Sequence, residues 1–83
     1  MPAARVLMMV ERRVSAADRA EFLGTLAARR HAAQDVHAHF WVFEHLDEPG
    51  RFVEFTEAAD ATVVATVHDG ALPAPLWRAV TEA

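Results

Sequence analysis

Histidine and aromatic side chains recur at every second position in one short segment of this 83-residue sequence. The residues are His37, His39, Trp41, Phe43 and His45. In a strand they would share one face of a sheet, because strand side chains alternate with a period of two. Imidazole titrates near neutral pH and can act as a general base, and aromatic rings pack well on one another. The spacing therefore predicts that imidazoles and aromatic rings lie together on one face of a sheet.

A second chemical candidate is Glu54, a carboxylate that lies between Phe52 and Phe55 in the sequence. A carboxylate on an enclosed face has to be paired or to carry a raised pKa, since burial disfavours its charge. On a strand edge it would be exposed to solvent and would need no partner. The sequence alone leaves both interpretations open.

His37 and His39 also have a spacing at which two imidazoles on one strand face could share a metal or a haem iron. His45 lies further along the same face. No cysteine and no second ligand motif such as H-E-x-x-H accompanies them. We therefore predict no metal site and no cofactor, and keep a haem or metal binder through these histidines as an alternative.

The first two elements that must position these residues are a strand and a helix. The continuous apolar run Val6 to Val10 predicts a buried strand over Arg5 to Val14. Ser15, with Asp18 three residues later, resembles a capping box and predicts a helix that ends near Ala33. Apolar residues recur at helical spacing in that segment, so one stripe of the helix should be buried.

The next two elements form a hairpin. β-Branched and aromatic residues predict strands over His37 to Leu46 and over Arg51 to Glu57. The segment Asp47 to Gly50 between them is a turn, because Pro sets φ and Gly allows a positive φ. Two strands joined by four residues are typical of a β-hairpin.

The last third of the chain allows more than one interpretation. Asp60 and Gly70 can cap a short helix over residues 61–67, although the β-branched residues there also suit a strand. We predict the helix, because the capping residues stand where a helix needs them. Leu76 to Glu82 is a fourth strand or a terminal helix. The resulting element order βαββαβ predicts one ferredoxin-like α+β domain over residues 1–83, with an antiparallel sheet.

The hairpin also predicts which side chains share a face. If Leu46 lies opposite Arg51, the next strand adds Phe52, Glu54 and Thr56 to the face of Trp41. Right-handed crossovers place both helices on the other, more apolar face. An aromatic face left in water marks a partner or a ligand site, so we expect two copies to close over each other. The cavity between their sheets would be lined by Trp41, Phe43, Phe52, His39, Glu54 and Thr56.

Charge and composition exclude several other classes of function. The net charge of −4 provides no basic surface for nucleic acid. The sequence has no cysteine for a disulfide or a thiolate nucleophile and no lysine for a Schiff base. No apolar run approaches the ~20 residues of a membrane span, and the N-terminal run is too short for a signal peptide. We expect a cytoplasmic protein with no nucleic-acid or membrane partner.

With this order of elements, the sequence resembles the dimeric α+β barrel superfamily, and within it the antibiotic-biosynthesis monooxygenase-like domains. The resemblance rests on the opening strand Val6 to Val10, the helix that starts at Ser15, and the hairpin segment Leu46 to Val53. It implies a homodimer whose two sheets pack on each other. The sequence departs from the family at Thr56 and Ala58, where members often have Glu and Trp.

Some members of that family oxidise phenolic or quinol substrates with O₂ and without a cofactor. The resemblance implies His39 or His37 as the base and Glu54 as the carboxylate that orients the imidazole. The residues expected to contact an aromatic ligand are Trp41, Phe43, Phe52 and Thr56. The predicted function is therefore binding of an aromatic or other small ligand between two sheets, with a cofactor-independent, monooxygenase-like reaction. The main alternative is a non-catalytic module for self-association or ligand binding.

Overall fold

The apolar run near the start of the chain forms an inner strand of a four-stranded antiparallel sheet. The computed structural model describes residues 4–80. In chain order these form β1 (Val6–Arg13), a 3-10 turn (Ala16–Asp18), α1 (Arg19–Asp35), β2 (His39–Glu44), β3 (Arg51–Ala58), α2 (Ala61–Val67) and β4 (Leu76–Arg78). The strand order across the sheet is β2-β3-β1-β4. This α+β arrangement is compatible with the predicted ferredoxin-like fold.

The predicted helix start at Ser15 is confirmed, with one difference. The Ser15 hydroxyl oxygen accepts the backbone N–H of Asp18 at 3.2 Å, as an N-cap residue does. The turn that it caps is a 3-10 turn, and α1 follows directly from Arg19. The helix then continues to Asp35, two residues beyond the predicted end at Ala33.

The ambiguous last third resolves into a helix and a short strand. An Asp60 carboxylate oxygen accepts the N–H of Val63 at 2.9 Å, and α2 follows, as predicted. The N–H of Gly70, whose φ is +85°, bonds to the Ala65 carbonyl and closes the end of the helix. Leu76–Arg78 is a strand paired with β1. Residues 81 and 82 of that predicted segment lie outside the described residues.

Both helices pack on the same face of the sheet, as right-handed crossovers require. Leu26 and Ala33 of α1 pack against Phe40 of β2. Val64 of α2 packs against Met8 of β1. The core therefore lies entirely between the helices and this one side of the sheet.

Side chains hold the connection between β2 and β3. The ring nitrogen Nδ1 of His45 accepts two backbone N–H groups of the turn, each at 3.1 Å. The Glu44 carboxylate accepts the N–H of Gly50 at 2.9 Å and two N–H groups of Arg19 on α1, at 2.6 and 2.8 Å. These bonds, the Arg19 contact above all, lower the pKa of Glu44 to about 2. These bonds therefore connect the hairpin to α1 and also stabilise its own turn.

The register of this hairpin differs by one residue from the prediction. Leu46 does not lie opposite Arg51, because the N–H of His45 bonds to the Arg51 carbonyl instead, at 2.7 Å. The connection is therefore five residues long, 46–50, and not four. A slip of one residue moves every side chain of β3 to the other face, since strand side chains alternate. The residues wrongly predicted beside Trp41 face the helices; they are Phe52, Glu54 and Thr56.

Gly50 is the residue that the turn needs. Its φ is +86°, and a Cβ built there would lie 2.3 Å from the backbone carbonyl oxygen of Val14. We expect Gly50→Ala to lower the free energy of unfolding by about 1–3 kcal/mol. The positive φ is strained for a residue with a Cβ, and the added Cβ would also clash with the Val14 backbone. Gly24→Ala is the control, since its Cβ would meet nothing within 4 Å. In α1 that change should stabilise by about 0.5–1 kcal/mol. Urea unfolding measures both, and equal effects would contradict this account of the turn.

Candidate functional site

The side of the sheet opposite the helices carries a continuous apolar strip, and we call this side the open face. The strip consists of Leu7, Met9, Trp41, Phe43, Val53, Phe55 and Trp77. Trp41, Phe43 and Trp77 expose 49%, 57% and 57% of their surface. The rings of Phe43 and Phe55 meet edge to face, with centroids 5.9 Å apart. Contiguous aromatic exposure of this kind marks a surface that binds a partner or a ligand.

A polar group borders the strip where β2 begins. The His39 ring stacks on Trp41, with the centroids 5.4 Å apart and the planes within 3°. Its Nε2 lies 3.9 Å from an oxygen of Glu57, its cross-strand neighbour on β3. Arg5 binds that carboxylate with two hydrogen bonds of 2.6 and 2.9 Å, which lower the pKa of Glu57. Glu57 is therefore a fixed anion near the imidazole, at a distance longer than a hydrogen bond.

The opposite end of the strip is bordered by a second set of charges. Arg51 donates to Glu48 at 2.5 Å and lies 3.3 Å from Glu11. A shallow depression of about 150 Å³ lies beside this group, next to Phe43 and Val53. The ion pairs leave this end of the open face with both signs of charge close together.

The structure separates the three histidines that could have formed a metal site. His37 has a φ of +57° and lies in the turn before β2, so it does not share the strand face of His39. His45 directs Nδ1 to the turn backbone. Within residues 4–80, no group of three or more His, Cys, Asp or Glu side chains is placed to hold a metal ion.

Glu54 belongs to a separate polar cluster beneath the helices. Its carboxylate is fully buried and accepts N–H groups from Arg12 on β1 and from Arg29 on α1, the latter at 2.7 Å. The alternative of an exposed edge is therefore wrong, and the expectation of a paired, enclosed carboxylate is correct. Beside it, the Thr56 hydroxyl and Nε2 of His68 are hydrogen-bonded at 2.7 Å. Burial lowers the pKa of His68, so its ring is neutral at pH 7.

The predicted site thus divides between the two sides of the sheet. His39, Trp41 and Phe43 lie together on the open face. Phe52, Glu54 and Thr56 lie on the helix side, and His37 lies in a turn. Three residues of the open face were not predicted from the sequence: Glu57, Arg5 and Trp77. The correct hairpin register would have identified Glu57, whereas Arg5 comes from a segment 52 residues away and had no local signal.

Comparisons with protein-family models, with curated proteins and with solved structures found no match for this chain. None of the helices within residues 4–80 combines the length and the apolar character that a membrane crossing needs.

The contribution of the buried Glu54 ion pairs to stability can be tested by substitution. We expect Glu54→Gln to lower the free energy of unfolding by about 3 kcal/mol, because two guanidinium groups would be left partly buried without a counter-charge. Glu11→Gln is the control, since it removes a carboxylate that is 65% exposed beside Arg51. An exposed pair of this kind contributes about 1 kcal/mol or less. Chemical unfolding followed by circular dichroism compares them, and equal losses would show that Glu54 does not anchor α1.

Proposed function

We propose that this protein forms a homodimer through the open face and binds an aromatic small molecule between the two sheets. The observation that carries the proposal is the exposed aromatic strip that runs directly into the His39–Glu57–Arg5 group. A monomer gains nothing from leaving this apolar surface in water, and a second sheet would remove it.

A second copy suits this face because most of the charges at its borders are already paired within the chain. Arg5 pairs with Glu57 at one end, and Arg51 pairs with Glu11 and Glu48 at the other. Covering paired charges costs less than covering single ones. Each border also carries both signs, so a two-fold arrangement can bring opposite charges together across the interface, as an isologous contact requires.

The ligand's chemistry follows from the groups that the dimer would enclose. Trp41 offers a flat apolar surface, and the stacked His39 ring offers a base at its edge. Glu57, held as an anion by Arg5, lies 3.9 Å from Nε2 of His39 and would orient the imidazole if the ring moved into hydrogen-bond range. In this proposal Glu57 takes the orienting role that the family resemblance implied for Glu54.

The resemblance to monooxygenase-like domains extends the proposal to a reaction. His39 would take a proton from a phenolic or quinol substrate, and the resulting carbanion would reduce O₂ without a cofactor. One oxygen atom would then be retained on the ring carbon, and the other would leave as water. Enclosure by the second sheet would keep bulk water from the carbanion.

A non-catalytic self-association module is the second candidate. It is favoured by the small depressions on the open face of a single copy, about 150 and 240 Å³. Pockets for small ligands usually measure about 300–1,000 Å³. Under this alternative, Trp41 and Phe43 would pack tightly against the partner and leave no cavity.

The dimer is tested by truncating one aromatic anchor. We expect sedimentation equilibrium of the wild-type chain to give twice the 9.2 kDa mass of one copy. Trp41→Ala should weaken association by about 2 kcal/mol or more, about thirtyfold in the dissociation constant. Leu23→Ala is the control, because Leu23 is similarly exposed at 43% but lies on α1. A monomeric wild-type protein, or equal effects of the two changes, would contradict the proposed interface.

The reaction is tested separately at the proposed base. His39→Gln should abolish O₂ consumption with a hydroxylated aromatic substrate and leave the dimer intact, because only the proton acceptor is lost. His31→Gln is the control, since His31 lies exposed on α1. An oxygen electrode gives the rates and sedimentation gives the mass. Unchanged turnover in His39→Gln would remove His39 from the mechanism. A dimer with no turnover in any variant would favour the non-catalytic module.

A further inference from the structure

We infer that the edge of β2 binds an extended segment of a partner protein, which adds a fifth strand to the sheet. β2 stands at one end of the strand order β2-β3-β1-β4, and among the described strands it pairs only with β3. The hydrogen-bonding groups of an edge strand lie in the plane of the sheet and not on its faces. The inference therefore does not depend on whether a second copy covers the open face.

The pairing with β3 determines which backbone groups of β2 point outwards. The N–H of His45 bonds to the Arg51 carbonyl at 2.7 Å, so the odd-numbered residues of β2 direct their N–H and C=O groups to β3. Phe40, Val42 and Glu44 direct theirs away from the sheet, because the direction alternates along a strand. These groups recur about every 7 Å, a spacing that the backbone of another strand matches.

The two edge strands of the sheet differ in how well they are protected against such pairing. β4 is only three residues long, and Pro73 and Pro75 precede it. Proline has no N–H to offer a further strand. β2 has six residues without a proline, and four of them are aromatic or β-branched. An edge strand of this length and composition is a template for an added strand.

Helix α1 forms an apolar wall beside the β2 edge. Phe22 and Arg29 of α1 contact residues of β3, whereas Arg19 bonds to Glu44 at the end of β2. Leu23 follows Arg19 by one helical turn and lies on the same flank of the helix, away from β3. It is 43% exposed although it is apolar. An added strand would cover Leu23 with a side chain of its own.

The same flank of α1 determines the charge of the partner. Arg30 follows Leu23 by two helical turns, so it lies on this flank as well. Within residues 4–80, no carboxylate forms an ion pair with Arg30. A second copy would bring its own Arg30 to this edge, and its Glu44 is already engaged by Arg19. Charge therefore favours a different chain, with an apolar residue beside Leu23 and a carboxylate beside Arg30.

The direction of α1 sets the order of these two residues in the partner. α1 begins beside Glu44, and its later residues Leu26 and Ala33 pack on Phe40. In an added antiparallel strand, the side chains opposite Val42 and Phe40 lie on the helix side, as those two do. The apolar residue of the partner therefore pairs with Val42, and the carboxylate residue, two positions later, pairs with Phe40.

The first test is titration calorimetry of the full-length protein with the acetylated and amidated peptide Val-Thr-Val-Thr-Glu-Thr. A methyl group on the backbone nitrogen of its second valine should weaken binding about tenfold or more, because that N–H would bond to Val42. The control peptide carries the methyl on the next threonine, whose N–H points away from the edge. Equal affinities of the two methylated peptides, or no binding of the unmodified one, would overturn the inference.

The flank of α1 is tested by substitution. Leu23→Ala should weaken binding about fivefold, because less apolar surface is covered. Leu72→Ala is the control, since Leu72 is 45% exposed but lies between α2 and β4. Arg30→Gln should remove the preference for the peptide over its Glu-to-Gln analogue. Equal effects of the two leucine changes, or a preference that survives Arg30→Gln, would contradict the assigned partner.

Amide hydrogen exchange followed by NMR locates the peptide. The outward N–H groups of Phe40 and Val42 should exchange quickly in the free protein and at least about tenfold more slowly with peptide bound. Those of Trp41 and Phe43, which bond to β3, should be protected in both states. Binding without new protection at Phe40 and Val42 would place the peptide elsewhere, such as on the open face, and overturn the inference. Protection in the free protein that dilution removes would show a second copy on the edge and overturn the assigned occupant.

Discussion

The register of the β2–β3 hairpin decides what each face of this sheet can do. Strand side chains alternate, so a shift of one residue would exchange the whole set of β3 side chains between the core and the open face. The register is held by two residues at the end of β2: the His45 ring accepts two N–H groups of the turn, and the Glu44 carboxylate binds Gly50 and Arg19. Few residues therefore control which carboxylate of β3 is interior and which one meets His39.

β3 contributes a carboxylate to a polar cluster on each side of the sheet. Beneath the helices, Glu54 joins Arg12 of β1 to Arg29 of α1. A fully buried carboxylate in this position ties a helix to the sheet by directional bonds, which matters in a chain that buries only about 60% of its unfolded surface. On the open face, Glu57 is held by Arg5 beside His39. The two carboxylates are three residues apart in sequence but serve opposite sides of the sheet.

Helices on one side only leave the other side of the sheet aromatic and uncovered. Trp41, Phe43 and Trp77 are each about half exposed. This surface is unfavourable in water, and most of its border charges are paired within the chain. Both properties suit a face that another sheet covers. The enclosed space would then contain the His39 imidazole and the exposed surfaces of Trp41 and Trp77.

Local signals in the sequence determined the order of the elements, the caps at Ser15 and Asp60, and the shared β2 face of His39, Trp41 and Phe43. These depend on neighbouring residues, whose spacing can be read directly. Only the tertiary structure decided which side of the sheet Glu54 occupies, because one hydrogen bond from His45 to Arg51 changes the pairing across the turn. It also decided that Arg5 meets Glu57 across 52 residues. Contacts between distant segments leave no mark in local sequence patterns, since they depend on how β1 and β3 align.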